Sequence, residues 1–241
     1  MLTLQKFNYI EKYMKKIFLL TAMCCISLGL LAQEEKPEID KPASPELSAL
    51  QTASSLAKYG YTMQSPTALI EAARIFGTTP VQAGNFEIVE ASYDSAVITE
   101  KENTISFEPK QLLAEAKKYA GKDKILLALI GKVENEIAQG GAMTRGAVGG
   151  PRYHKDRVLG KDRDCYKVKF WAKEMAEVCV SGDGDTDLDL YVYDSNNNLI
   201  GSDTDYSDEC VVRWVPKWTG EFIIKIVNRG ALYNNYTIWT N

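Results

Sequence analysis

One stretch, residues 178–194 with the sequence VCVSGDGDTDLDLYVYD, decides the fold of the second half of the chain. In its later part every second side chain is aliphatic, at Leu188, Leu190 and Val192. A period of two is the pattern of a β-strand with one buried face, and Gly and Asp are preferred in turns between strands. The stretch therefore predicts a strand that is entered through an acidic turn.

The same alternation recurs on both sides of this stretch. It is present in residues 165–170 and 222–227, and turn-forming clusters stand at 181–184, 195–198 and 218–220. Many short alternating strands at even spacing, separated by such turns, indicate an antiparallel β-sandwich. We therefore expect residues 153–241 to form a sandwich domain, which at this size can bury its own core.

The pattern ahead of residue 140 is helical. Apolar residues recur at helical spacing in residues 44–60, 65–77, 108–121 and 126–137, and three of these segments open at a Ser-Pro or Glu-Pro pair. Residues 86–89 and 96–98 are candidate short strands. We predict an α+β multidomain protein: a small helical domain of two hairpins at 44–139, a glycine-rich linker at 140–152 and the sandwich at 153–241.

The N-terminus has the layout of a secretory signal peptide. Lys15 and Lys16 precede an apolar run that closes at Ala32, and a polar, proline-bearing leader follows at residues 33–43. The run is shorter than the roughly 20 residues that span a bilayer. We expect cleavage after Ala32, with Met14 as an alternative start and lipidation of Cys24 or Cys25 as an alternative processing. The mature chain is then secreted or periplasmic, with no integral membrane segment.

The overall charge limits the classes of molecule that the protein is expected to bind. The 241 residues carry a formal charge of −4, with no clustered excess of Lys and Arg. Phosphate backbones need such a cluster, so nucleic acid is not an expected partner. A protein or an extracellular polymer is the partner that we expect.

Three cysteines stay in the predicted mature chain: Cys165, Cys179 and Cys210. Export permits a disulfide, and three cysteines allow one bridge with one thiol left over. The spacing does not say which pair would form. It also contains no C-x-x-C pair, and His154 is the only histidine, which disfavours zinc.

The acidic strand entry at residues 178–194 resembles the bacterial pre-peptidase C-terminal domain. Later features agree with the resemblance: Trp214-Val215-Pro216, Thr219-Gly220, residues 227–230 and residues 236–238. The resemblance covers about residues 153–241. It implies a jelly-roll-like sandwich that is not catalytic and is usually appended to secreted peptidases, and some relatives bind calcium. This chain departs from that setting, because nothing ahead of residue 153 is large enough to be a peptidase.

The aspartates of the predicted turn are the candidate metal ligands. They are Asp183, Asp185, Asp187 and Asp189. Calcium prefers hard oxygen ligands, and crowded carboxylates repel one another unless a cation lies among them. An EF-hand is excluded, because its sixth and twelfth positions would be Leu188 and Asp194. The alternative is an ordinary turn in which the aspartates accept hydrogen bonds from backbone amides.

No motif of a known catalytic site is present. G-x-S-x-G, H-E-x-x-H and the P-loop are absent from the sequence, and His154 is expected to be an exposed linker residue. Tyr191, Tyr193, Trp218 and Trp239 are either ligand-stacking residues or strand packing. We predict a secreted, non-catalytic binding or accessory protein. A small secreted hydrolase, or the accessory subunit of a secreted peptidase, is the alternative.

Overall fold

The computed structural model describes residues 43–91, 105–140 and 151–241. Four helices begin where the sequence predicts them: α1 at Pro45–Thr62, α2 at Pro66–Thr78, α3 at Pro109–Ala120 and α4 at Lys124–Gly140. Ser44 and Ser65 cap the first two, because their hydroxyls accept hydrogen bonds from the backbone amides of Leu47 and Ala68. The helical predictions are confirmed.

In the described ranges, ten strands form two five-stranded sheets. They are β1 Gln82–Ala83, β2 Glu87–Glu90, β3 Arg152–Val158, β4 Arg163–Phe170, β5 Ala176–Gly182, β6 Leu188–Tyr193, β7 Leu199–Asp203, β8 Glu209–Trp214, β9 Gly220–Asn228 and β10 Asn234–Thr240. Sheet I has the order β1-β3-β10-β5-β8, and sheet II has the order β2-β4-β9-β6-β7. All strand pairs are antiparallel except β1 with β3. The predicted α+β architecture with a C-terminal β-sandwich is confirmed.

The main core lies between the two sheets. The alternating residues that predicted the strands fill it: Tyr166, Val168, Phe170, Leu188, Leu190, Val192, Phe222, Ile224 and Ile226 are all buried there. Their polar neighbours in sequence lie on the outer face of sheet II. The period of two therefore correctly identified the inward side chains of that sheet.

The helices cover the outer face of sheet I. Leu47 and Leu50 of α1 pack on Cys179 of β5 and Trp239 of β10, and all four side chains are buried. Every residue of β5 is buried, as expected of a strand that is covered on both faces. The molecule therefore has three layers, with the helices outermost, then sheet I, then sheet II.

The two-domain arrangement is not confirmed. Residues Lys41–Asn241 form one compact unit, and the segment predicted as helical also contributes β1 to sheet I and β2 to sheet II. The reason is that the helices and sheet I bury their apolar faces against each other, so the two segments share one packed interface instead of forming separate domains. Within the described residues, no helix combines the length and apolarity that a bilayer span requires.

Several predictions concern residues outside the described ranges. They are the signal peptide at 1–32, all but the last residue of the leader at 33–43, the strand at 96–98 and most of the linker at 140–152.

Candidate functional site

The acidic turn between β5 and β6 is fastened to the rest of the sandwich by its own polar groups. Asp183 is buried, and its carboxylate accepts hydrogen bonds from the backbone and side-chain amides of Asn235 at 3.2 and 2.8 Å. Gly184 has φ of +93°, which disfavours other residues, and its amide donates to Asp208 Oδ2 at 2.5 Å. These contacts are the backbone-binding role that the turn alternative predicted.

Asp189 has a cationic partner within the protein. Its Oδ2 accepts from Arg229 Nε at 2.6 Å and from Tyr191 Oη at 2.9 Å, and the Asp189 side chain is only 6% exposed. Asp187 lies next to it with one carboxylate oxygen buried and without a hydrogen-bond partner. Burial, followed by the charge of Asp189, raises the pKa of Asp187. Asp185 is exposed.

A second cation enters from the helical layer. Lys58 of α1 places its Nζ 2.6 Å from Asp208 Oδ1 and 2.5 Å from Glu209 Oε1. Glu209 also accepts a hydrogen bond from the Ser181 hydroxyl at 2.5 Å, yet burial raises its pKa. Lys58 therefore ties α1 to the start of β8 and, through Asp208, to the acidic turn. Sequence patterns gave no sign of this contact, because its partners are 150 residues away.

The four predicted ligands do not converge. Asp183 is bound to Asn235 and Asp189 to Arg229, whereas Asp187 has a buried carboxylate oxygen without a hydrogen-bond partner and Asp185 is exposed. Within the described ranges, no group of three or more His, Cys, Asp or Glu side chains is placed to hold a metal ion. The cations that crowded carboxylates require are supplied here by Arg229 and Lys58. Calcium binding by Asp183, Asp185, Asp187 and Asp189 stays a prediction.

The three candidate disulfide cysteines lie on three different sheet faces. Cys179 is on the helix-covered face of sheet I, Cys210 is in the core between the sheets, and Cys165 is on the outer side of sheet II. All three thiols are buried and free. Cys179 and Cys210 are on paired strands but face opposite sides of the sheet, which prevents a bridge. The structure therefore brings no two of them together.

His154 is not a linker residue. It lies in β3, where its ring packs on Phe86 at 5.3 Å and on Tyr166 at 5.1 Å between centroids. Its Nε2 is 3.4 Å from Asp156 Oδ2, and its side chain is 26% exposed. The prediction of an exposed linker histidine is wrong, because β3 extends to Arg152 and includes this residue.

A cleft opens between the helical layer and the edge of the sandwich. Its first chamber, of about 640 Å³, has segment 105–108 and α3 on one side and β3 and β10 on the other. Glu108 and Lys155 form an ion pair across it. A second chamber, of about 1020 Å³, shares Ile105, Ser106 and Gln111 with the first. One wall of this second chamber is the acidic turn, at Asp183, Gly184 and Asp185.

The opposite wall of the second chamber is rich in hydrogen-bonding groups. Tyr61, Thr62 and Gln64 come from the end of α1, and Glu115, Lys118 and Tyr119 come from α3. Burial, together with the Glu115 carboxylate, raises the pKa of Tyr119 to about 12, and burial raises that of Tyr61. Both phenols are therefore protonated at neutral pH, and they already have hydrogen-bond partners in the wall: Glu115 for Tyr119 and the backbone of Ser106 for Tyr61. Sequence patterns did not identify these residues, because a single tyrosine on a helix has no distinguishing pattern.

Comparisons with known proteins give only distant likenesses. No protein-family model matches the sequence, and no curated protein matches it. Among solved structures, the pre-peptidase C-terminal domain of a Bacillus anthracis collagenase is 10% identical, with 37% of this chain and 87% of that chain covered and a TM-score of 0.33. PliG from Aeromonas hydrophila, a periplasmic inhibitor of g-type lysozyme, is 16% identical, with coverages of 40% and 90% and a TM-score of 0.32.

A third structure is a carbohydrate-binding module from Cellvibrio mixtus lichenase 5A, solved with cellotriose. It is 11% identical, with 39% of this chain and 87% of that chain covered and a TM-score of 0.25. One of the matched structures is thus a pre-peptidase C-terminal domain, the family that the sequence resembles. Identities and TM-scores this low assign neither a family nor a ligand to the chain.

Proposed function

We propose that the protein is an exported, non-catalytic binding protein that holds its ligand in the cleft beside the acidic turn. The observation that carries this proposal is the second chamber, whose volume of about 1020 Å³ is bounded by two rigid elements. One is the helical layer, and the other is a turn fixed by Asp183 and Asp208. Concave sites between packed layers are common places for ligands.

The chemistry of the walls favours a polar ligand that is neutral or cationic. Hydroxyl and amide groups line both chambers, among them Ser106, Gln111 and Tyr119. Asp183, Asp185 and Glu115 outnumber the one lysine of the second chamber, Lys118. An anionic ligand would be repelled there, whereas sugar hydroxyls or a basic peptide segment would find partners. A protein or an extracellular polymer can present either group.

The buried thiols are unsuited to nucleophilic catalysis. Burial raises the pKa of Cys165 to about 11 and those of Cys179 and Cys210 further. The thiolate is the reactive form, so these cysteines are inert at neutral pH. His154 is held between Phe86 and Tyr166, which suits a packing role. These features support binding over the hydrolase alternative.

A thermal-shift screen tests the proposal. The purified mature protein would be melted with a panel of neutral oligosaccharides and basic peptides. We expect at least one compound to raise the Tm of the wild type but not that of Gln111→Ala, whereas Gln139→Ala on the exposed face of α4 behaves as wild type. Hits that are unaffected by Gln111→Ala, or turnover of the hits into products, would contradict a binding cleft.

Export is part of the same proposal and has its own test. The predicted cleavage after Ala32 places Gln33 at the N-terminus of the mature chain. N-terminal sequencing and intact mass of the protein recovered outside the cytoplasm should show this terminus. A chain that keeps Met1 or Met14 would contradict it, and a lipid-modified Cys24 or Cys25 would support the alternative processing.

Calcium needs a direct measurement. Arg229 and Lys58 already neutralise Asp189, Asp208 and Glu209, so calcium binding requires the remaining aspartates to rearrange around the ion. A rise in Tm with millimolar calcium would support the calcium prediction, and the same Tm in chelator and in calcium would contradict it.

A further inference from the structure

The end of the sandwich opposite the acidic turn carries two exposed tryptophans. Trp171 follows β4, and Trp218 precedes β9. Their loops are joined by two hydrogen bonds: Ala172 N donates to Thr219 Oγ1 at 2.9 Å, and Lys173 N donates to the Pro216 carbonyl at 2.8 Å. We call residues 171–175 and 215–219 the tryptophan end.

Three large apolar side chains are exposed there. Trp171 is 56% exposed, and Trp218 and Val215 are each 40% exposed. Trp218 is nevertheless held in place, because it stacks on buried Phe222 at 5.9 Å and 17°. Phe222 in turn contacts buried Trp214 at 5.4 Å. The exposed indole is thus ordered by the core, which lowers the entropic cost of using it in binding.

Lysines accompany the indoles. Lys169 Nζ lies 5.2 Å from the centre of the Trp171 ring, and Lys173 and Lys217 belong to the two loops. Glu174 and Glu221 are the carboxylates in these segments and their strand junctions, and the neighbouring β6–β7 loop adds Asp194, so these charges balance at this end. Indole rings next to lysines are the combination found at the boundary between acyl chains and anionic headgroups.

The opposite end is acidic, because Arg229 and Lys58 neutralise only part of its carboxylates. Strand register sets Phe170 beside Gly220 at one end of β9 and Leu188 beside Asn228 at the other. The nine residues of β9 separate the two ends by about 27 Å. The far end carries the aspartates of the acidic turn and of the β7–β8 loop: Asp183, Asp185, Asp187, Asp189, Asp205 and Asp208. An anionic surface would repel this end and accept the tryptophan end.

We infer that the tryptophan end docks the protein on an anionic lipid surface, with the acidic end and its cleft turned away from the membrane. Trp171, Trp218 and Val215 enter the interface, and Lys169, Lys173 and Lys217 meet the headgroups. This inference is independent of the proposed ligand, because the docking residues do not line the cleft.

Intrinsic fluorescence with vesicles tests the inference. Trp214 and Trp239 are buried, so a change on binding reports Trp171 and Trp218. We expect a blue shift and co-sedimentation with phosphatidylglycerol-containing vesicles, weakening with salt, and little of either with pure phosphatidylcholine. Brominated lipids should quench part of the wild-type emission without any mutation. This arm keeps the test valid even if a variant misfolds.

Matched variants locate the contact. Trp171→Ala with Trp218→Ala should lower partitioning onto anionic vesicles at least tenfold, and Lys169→Gln with Lys217→Gln should lower it less. Tyr206→Ala removes an aromatic residue that is 99% exposed at the acidic end and should change nothing. The inference fails if the wild type ignores anionic vesicles or if the tryptophan pair does not matter. It also fails if the pair instead supports co-sedimentation with an insoluble glycan.

Discussion

The two ends of the sandwich differ in whether their characteristic side chains are bound within the protein or exposed to solvent. At the acidic end the carboxylates are bound within the protein: Asp189 by Arg229, and Asp208 and Glu209 by Lys58. At the tryptophan end the large rings of Trp171 and Trp218 are left exposed to solvent. Groups that are satisfied internally are part of the architecture, whereas exposed apolar rings on an ordered support are available to a partner. The difference separates structural from functional residues within one domain.

The acidic end also joins the layers. α1 begins at Ser44, whose backbone amide donates to Glu177 at 2.8 Å, and reaches Lys58 near its C-terminus. It therefore follows sheet I from the start of β5 to the acidic turn. Lys58 is the only link between the helices and the acidic end that is made by ion pairs of the described residues. The comparison predicts large effects at this end and small effects at the other.

Among the charged residues of the acidic end, the largest expected effect follows removal of Lys58. Lys58→Met leaves Asp208 and Glu209 without their cation in a poorly solvated place, which should lower the free energy of unfolding by about 2–4 kcal/mol. Urea denaturation measures this loss. Lys118→Met is the control, because its pair with Glu115 leaves the lysine 71% exposed and should contribute little. Equal losses in both variants would remove the special status of the acidic end.

A smaller effect is expected at Arg229. Arg229→Gln leaves the buried Asp189 carboxylate without its cation and should cost about 1–2 kcal/mol. Arg163→Gln is closely matched, since both arginines are 51% exposed, but the partner of Arg163, Glu90, is itself 45% exposed. We expect no measurable loss for that variant, because an exposed ion pair contributes little. Urea midpoints of the two proteins, measured together, decide whether burial of the carboxylate is what matters.

Asp187 should show a pH dependence of defined sign. Its folded-state pKa is raised, so the folded protein holds this proton more tightly than the unfolded chain does. The resulting loss of folding stability is absent at a pH below the ordinary carboxyl pKa and is fully present at a pH above the raised pKa. Asp187→Asn should therefore raise Tm slightly at neutral pH, and the gain should vanish as the pH falls below the ordinary range. A gain that is independent of pH would contradict this origin.

The smallest effect is expected at the tryptophan end. Trp171→Ala should change the free energy of unfolding by no more than about 0.5 kcal/mol, because the side chain is 56% exposed. Trp214→Ala, in the adjacent core and 6% exposed, should cost about 3–5 kcal/mol. A large loss at Trp171, seen by thermal or urea unfolding, would make it a structural residue and weaken its assignment to docking.

Local patterns predicted the elements well. The Ser-Pro pairs at 44–45 and 65–66 predicted helix starts because capping and the fixed φ of proline act within one turn. The alternation of Leu188, Leu190 and Val192 predicted the inner face of β6 because side-chain direction follows from strand geometry. Such features can be predicted from the sequence, because they depend only on residues that are close together in the chain.

Assignments that depend on distant residues were less predictable. The aspartate spacing indicated a metal, but Arg229 and Lys58, which supply the positive charge, are far away in sequence. Trp239 and Trp218 were both candidates for ligand stacking, yet helix α1 covers the first, whereas the second is exposed. The glycine-rich stretch at 140–152 suggested a domain boundary, because composition does not show that α1 packs on sheet I. The cleft, which lies between those layers, was invisible for the same reason.

The most direct test of this account is equilibrium unfolding followed by two signals at once. Far-ultraviolet circular dichroism reports the helices, and tryptophan fluorescence reports chiefly sheet I and the core through Trp239 and Trp214. If α1, Lys58 and sheet I form one unit, both signals should change in a single transition with the same midpoint. Loss of the helical signal well before the fluorescence change would show separable domains and contradict the three-layer structure.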